Sequence, residues 1–154
     1  MNRSYFKDKV IIITGASSGI GLASARLFGS LGAKVVMAAR HLDKLEAEAA
    51  SVNADLSKVL CVKTDVTKEE DCKALIEKTV EKFGGIDILV NNAGISMRAM
   101  FNDLDLSVIH SLMNVNFWGT VNCTKFALPW LLKSKGSVVG VISIAGYSAL
   151  PART

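Results

Sequence analysis

Long hydrophobic runs are missing from this 154-residue chain, as are clustered charge, paired cysteines and more than two prolines. Each absence narrows the field. The first apolar run, residues 10–13, is far too short to span a bilayer, and residues 1–9 lack the basic, apolar and small-residue order of a cleavable signal. A soluble, cytoplasmic protein with no membrane span is the expectation. The 18 Lys and Arg are interleaved with 14 Asp and Glu, so the net charge of +4 draws no basic stripe along the chain and no nucleic-acid partner is expected. Cys61, Cys72 and Cys123 are odd in number, lack C-x-x-C spacing and sit in apolar stretches, so they read as reduced thiols in or near a core. No His, Cys and acid cluster has ligand spacing, so no metal site is expected.

What remains is a well-mixed globular composition. Half of the residues are apolar, enough for one domain with a real core. Residues 10–13 form a β-branched run that ends in a Gly/Ser cluster, the pattern of a strand buried on both faces. Ile20, Ala23, Leu27 and Leu31 then recur at helical spacing before Gly32. Further strands are expected over residues 34–39, 59–64, 86–90 and 137–143, and helices over 43–52 and 68–83. Residues 103–133 read as a short helix running into a long one. Alternation of this kind predicts an α/β fold, a doubly wound parallel sheet with helices on both faces. No repeat or linker divides the chain, so residues 1–154 read as one Rossmann-type domain.

Between the first strand and the first helix lies Thr14-Gly15-Ala16-Ser17-Ser18-Gly19-Ile20-Gly21. Gly15 lets the chain turn off the strand, Gly19 lets backbone approach a pyrophosphate, and Gly21 lets the helix pack on the sheet. The helix N-terminus adds unpaired N–H groups and its positive dipole end. The plain alternative is a Gly-rich structural turn. The spacing Thr-Gly-x-x-x-Gly-x-Gly resembles the short-chain dehydrogenase/reductase family, and the likeness runs through essentially the whole chain.

That resemblance implies a nicotinamide cofactor cradled by Gly15, Ser17, Ser18, Gly19, Ile20 and Gly21. The second strand ends Met37-Ala38-Ala39-Arg40, with no carboxylate to bind a ribose 2′-hydroxyl and a guanidinium fork suited to a 2′-phosphate. NADP(H) is favoured and NAD(H) is the alternative; by resemblance Ser17 partners Arg40. Arg40 could also be an ordinary solvated arginine, with Asp43 as a pairing partner. Asp65 could simply cap its loop, whereas the resemblance makes Asp65 and the Val66 backbone adenine contacts. Asn91-Asn92-Ala93-Gly94 matches the family's Asn-Asn-Ala-Gly motif and is expected both to line the site and to brace the sheet.

Two catalytic residues follow. Asn116 stands inside a helical stretch, where its propensity is poor, and the resemblance places it at a helix irregularity, holding a water in a proton relay. Asn114 reads as a surface residue. Ser143, at the expected end of the fifth strand, could be a strand-end cap. The match, including Ala145 and Gly146, makes it the serine that polarises the substrate carbonyl. Many relatives carry a serine pair here, and Ile142 takes the first place. No base partner for Ser143 is visible, since His41 and His110 fall in a loop and a helix start.

The family's Tyr-x-x-x-Lys pair, in which lysine depresses the tyrosine pKa, would fall just past Thr154. Tyr147 is no substitute, because Pro151 stands four residues on. The resemblance therefore implies a longer enzyme, a carbonyl reductase or alcohol dehydrogenase, with these residues forming the first five strands of a seven-stranded sheet. The 154 residues alone are expected to be inactive and to expose an apolar sheet edge. The alternative is a noncatalytic NADP-binding or interaction module. The segment from Ile95 to Phe101, with Trp118, reads as an apolar rim for a small carbonyl or alcohol substrate. By resemblance a full-length form is a homo-oligomer, a dimer or tetramer.

Overall fold

The computed structural model describes residues 3–148. A short 3-10 turn at Arg3–Phe6 leads into β1 (Val10–Thr14), α1 (Gly19–Ser30), β2 (Lys34–Ala39), α2 (Leu42–Val52), β3 (Val59–Lys63), α3 (Glu69–Phe83) and β4 (Ile88–Asn91). Then come α4 (Leu106–Leu112), a π-helical segment (Met113–Trp118), α5 (Gly119–Ser134) and β5 (Ser137–Gly140). The five strands are parallel, in the order β3-β2-β1-β4-β5. Pro151 and Thr154, on which the tyrosine argument turned, lie outside the described residues.

Pleating sorts each strand's side chains onto opposite faces, and the core divides accordingly. Val10, Ile12, Val36, Ala38, Val62 and Leu89 meet Cys72, Leu75 and Ile76 of α3 and Cys123, Ala127 and Leu131 of α5. Ile11, Ile13, Val35, Met37, Val59, Ile88 and Val90 meet Ala25 of α1 and Leu45 and Val52 of α2. Both faces of the sheet are thus covered, which is why β1 and β2 can be apolar almost without a break.

Helix α1 departs from its apolar spacing. Ile20 and Leu27 are 65% and 54% exposed, and the face against the fold is Gly21, Ala25 and Gly29. A Cβ on Gly29 would run into the Val52 carbonyl at the end of α2, so small residues at this spacing set how closely α1 can lie. The fourth strand starts and ends later than expected, at Ile88 and Asn91, with Ile86 buried just before it. The fifth ends at Gly140 rather than at Ser143. Among the described residues its one neighbour is β4, which ends at Asn91; Val141 N–H still donates to the Asn91 carbonyl, and beyond that no described strand runs alongside. All of β5 is exposed, with Val138 and Val139 at 47% and 43%. Among the described residues no helix is long and apolar enough to cross a membrane.

Candidate functional site

Going outward from β1 in the two directions, the order of strands reverses between β1 and β4, and helices leave from opposite faces, so a crevice opens at the strands' carboxyl ends. A cleft of about 460 Å³ lies there. Its walls include Gly15, Ser17, Ser18 and Ile20 from the turn after β1, Arg40 and His41 after β2, Asp65 and Val66 after β3, and Asn92, Ala93, Gly94 and Ile95 after β4.

The turn has the conformation that its glycines allow. Gly15 and Gly19 take φ values of 66° and 56°, in the left-handed region that costs a side chain strain. A Cβ on Gly19 would meet no atom within 4 Å, so the backbone there is open to approach. A Cβ on Gly21 would meet the Gly15 carbonyl and the Asn92 amide, which keeps the helix start close to the strand ends. Ser18 is the N-cap of α1, in extended conformation, and its hydroxyl makes no capping bond. The first N–H groups of α1 therefore gain no bond from the N-cap side chain, and the dipole's positive end faces the same way. A pyrophosphate fits that chemistry and the opening at Gly19.

Thr14, which sequence reasoning included in the motif without giving it a role, ties the site together. It is 2% exposed, and its hydroxyl oxygen accepts from the Asn92 and Ala93 N–H groups, each at 3.0 Å, while reaching the Val90 carbonyl at 3.4 Å. Asn92 Nδ2 donates to the Thr14 carbonyl at 2.9 Å and to that of Gly15 at 3.3 Å. Asn91 takes a different part. It is buried at the end of β4, donates from Nδ2 to Thr124 Oγ1 at 3.0 Å and is not on the cleft wall. Its Oδ1 has no partner among the described residues.

Asp65 folds its own loop: one carboxylate oxygen accepts from the Thr67 N–H at 3.1 Å and the Thr67 hydroxyl at 2.8 Å. Its backbone N–H donates to Asp71 Oδ2 at 2.8 Å. Val66, 7% exposed, has a carbonyl that accepts from Asn122 Nδ2 at 3.1 Å. Arg40 is exposed on the cleft rim and, among the described residues, forms no ion pair with Asp43 or any other acid.

Asn116 falls in the π-helical segment, so its poor helical propensity coincides with a real irregularity. Its amide pairs with the backbone of Ile95: Ile95 N–H donates to Oδ1, and Nδ2 donates to the Ile95 carbonyl, both at 2.9 Å. This pins the loop after β4 to the helix. Ser143 caps a 3-10 turn at Ile144–Gly146, and its Oγ accepts from Ala145 N–H at 3.1 Å. Neither Asn116 nor Ser143 lies on the cleft wall, but their neighbours Val115 and Val141 do. Of the apolar rim, Ile95 lines the cleft, while Met100, Phe101 and Trp118 are 58%, 63% and 51% exposed. Thr64, Thr67, Val115 and Val141 are wall residues that no sequence signal had singled out.

Strand order, a cleft at the switch point and a glycine turn under a helix N-terminus define a doubly wound, Rossmann-type α/β domain. More narrowly, the chain belongs to the short chain dehydrogenase family, whose model matches residues 9–154. It is 42% identical to a Dictyostelium discoideum protein described as "Dehydrogenase/reductase SDR family protein 7-like", covering 98% of this chain and 50% of that protein. An Arabidopsis thaliana "11-beta-hydroxysteroid dehydrogenase-like 4A" is also 42% identical, over 93% of this chain and 48% of the relative. The chain thus spans about half the length of these curated relatives. Among solved structures, an alcohol dehydrogenase from Thermococcus sibiricus complexed with 5-hydroxy-NADP matches at a TM-score of 0.90 and 31% identity, covering 95% of this chain and 63% of that one. A short chain dehydrogenase/reductase from Burkholderia phymatum in complex with NAD matches at 0.90 and 30%, covering 96% and 53%. The family is one of dehydrogenases, and the two matched structures hold nicotinamide dinucleotides.

Proposed function

We propose that this chain is the cofactor-binding portion of an NADP(H)-dependent oxidoreductase that interconverts a small apolar carbonyl and its alcohol. The observation that carries the cofactor choice is the end of β2, where Ala39 and Arg40 line the cleft and no carboxylate stands. An acid there would bind a ribose 2′-hydroxyl and repel a phosphate; a guanidinium that pairs with no acid among the described residues does the opposite. In this reading the turn from Gly15 to Gly21 and the first N–H groups of α1 hold the pyrophosphate, with Ser17 beside Arg40. Asp65 and Val66 border the adenine, and Asn92, Ala93 and Gly94 leave room for the second ribose. Bound there, nicotinamide supplies or accepts a hydride at C4.

The chain's own residues orient the reaction. Ser143 Oγ, already accepting from Ala145 N–H, keeps its own proton to donate to a substrate carbonyl oxygen, which favours the developing negative charge. Asn116 holds the Ile95 loop against the helix and keeps that side of the cleft in shape. The proton-donating tyrosine and its lysine belong to the remainder of such an enzyme, so these 154 residues are expected to bind cofactor and turn over no carbonyl. The apolar character of the substrate draws on Ile95 at the cleft and on the steroid-dehydrogenase-like names of relatives.

Isothermal titration of the chain with NADPH and NADH tests the reading. The expected result is tighter binding of NADPH, with the preference falling by about tenfold or more in Arg40→Ala, the loss of one charge-assisted phosphate contact. Equal preference in the two proteins would overturn the NADP(H) assignment. If the full-length protein bound NADPH but reduced no member of a carbonyl panel, the noncatalytic-module reading would replace the enzyme.

A further inference from the structure

The two thiols in the core have no part in the reading above. Cys72, in the first turns of α3, and Cys123, in α5, are both 0% exposed, and their sulfurs lie 3.5 Å apart across 51 positions of sequence. They lie where the two helices pack together beneath one face of the sheet, among Leu75, Ile76, Leu89 and Ala127. Cys72 Sγ–H also reaches the Val66 carbonyl at 3.5 Å, the same oxygen that accepts from Asn122 Nδ2. Val66 in turn lines the cleft, and its side chain covers Gly119 so closely that a Cβ there would sit 2.5 Å from Val66 Cγ2.

We propose that Cys72 and Cys123 form a redox modification site, a dithiol that peroxide converts to an intramolecular disulfide, and that its state is read out at Val66 in the cleft. A disulfide needs its sulfurs about 2.05 Å apart, so the pair must close by about 1.5 Å, which requires rotation of the two side chains between helices already in contact. The chemistry balances with hydrogen peroxide as the only co-reactant. One sulfur attacks a peroxide oxygen; the S–O bond forms, the O–O bond breaks, and the departing hydroxide takes the thiol proton as water. The second sulfur then attacks the sulfenic sulfur; the S–S bond forms, the S–O bond breaks, and a second water leaves with the remaining thiol proton. Two thiols are oxidised and one peroxide is reduced to two waters.

The surroundings determine which oxidant can act. Complete burial keeps out glutathione or a protein thiol, so the oxidant must be a small neutral molecule that reaches the pair when the packing opens locally. The Cys123 thiol is pushed above its ordinary range by its hydrogen bond with Cys72 and by burial, so thiolate is scarce and the reaction is slow. Cys61, half-buried on β3, also has its thiol pushed up, chiefly by burial, and stands outside the pair.

Oxidation removes the Cys72 proton and leaves the Val66 carbonyl with Asn122 as its donor. This consequence rests on the reading of the cleft as the dinucleotide site. The folded 154-residue chain, with Cys61→Ser to remove the third thiol, is exposed to hydrogen peroxide, quenched with catalase, unfolded, alkylated with iodoacetamide and weighed. The expected product has lost two hydrogens, takes up no alkyl group, yields a cross-linked peptide pair holding residues 72 and 123, and reverts with a phosphine reductant. Two alkylated thiols, a sulfinic acid, or an intermolecular dimer would overturn the modification site. NADPH titration of both forms reads the coupling: an affinity lower by about two- to fivefold in the oxidised form supports it, and equal affinity overturns it. Failure of the reduced form to bind NADPH strikes the cofactor reading instead, leaving the mass result to decide the disulfide.

Discussion

Thr14 shows how much one buried hydroxyl can organise. It sits where β1 ends, and through it the backbone of Asn92 and Ala93 is held against the glycine turn, 78 and 79 positions away in sequence. Thr14→Val keeps the shape and removes the acceptor, leaving two N–H groups without a partner. The expected cost is about 2–6 kcal/mol in urea unfolding, since each unsatisfied buried donor costs about 1–3 kcal/mol. NADPH affinity should fall with it, because the loop after β4 loses its anchor. An unchanged unfolding midpoint would show that water replaces the hydroxyl without penalty.

Helix α1 illustrates the difference between recognising an element and orienting it. Its apolar spacing marks a helix, yet Gly21, Ala25 and Gly29 face the fold because the sheet and α2 leave no room for larger groups. Gly29→Ala places a Cβ against the Val52 carbonyl, and overpacking of this kind costs about 1–3 kcal/mol. Unfolding should move while NADPH affinity in the folded fraction stays put, since Gly29 is remote from the cleft wall. Caps and ion pairs at element ends set the pH response. Asp55 and Asp105 accept from Ser57 and Ser107, Asp8 from Lys58, and Glu48 from Arg26, and each carboxyl is held below its ordinary range by that bond. A carboxyl lowered on folding stabilises above its unfolded pKa and loses that contribution as pH falls through the folded one. Lys9, raised by its bond to Asp87, contributes below its unfolded pKa and loses that contribution as pH rises through its folded one. The melting temperature should therefore be level from about pH 5 to 9, dropping below about pH 4 and above about pH 10. Because these groups are exposed or only partly buried, the slopes should be shallow and weaken with salt.

Taken as a whole, the molecule has one finished end and one bare edge. Lysines that look scattered along the chain gather at the amino ends of the strands: Lys7, Lys34 and Lys58 surround Asp8, Lys9 pairs with Asp87, and Lys34 and Lys82 lie over the Phe83 ring at 5.8 and 5.4 Å. At the other extreme of the sheet β5 is exposed throughout, with Ile142 at 91% just beyond it. A parallel edge strand with exposed valines is a template for pairing with another chain. The 154-residue chain should self-associate at micromolar concentration, and Val139→Lys should shift its light-scattering mass toward the monomer. If both proteins sediment alike, β5 is not the contact.

The order of the elements and the turn at Gly15 and Gly19 could be read from local physics, from β-branched runs and from left-handed φ values that glycine tolerates. At Asn116 local propensity marked only an amide poorly suited to a helix, and the irregularity itself came from the family resemblance. Residues that bear on the site only by position escaped that reading. Thr14, Val115 and Val141 carry no local signal of their own role, the end of β5 depends on where β4 stops, and the meeting of Cys72 with Cys123 depends on two helices packing on one face. Such contacts join segments dozens of positions apart, and no local propensity encodes which side chains will share a wall. Short-range conformational preference determined what the pieces are; packing across the sheet decided which of their atoms meet.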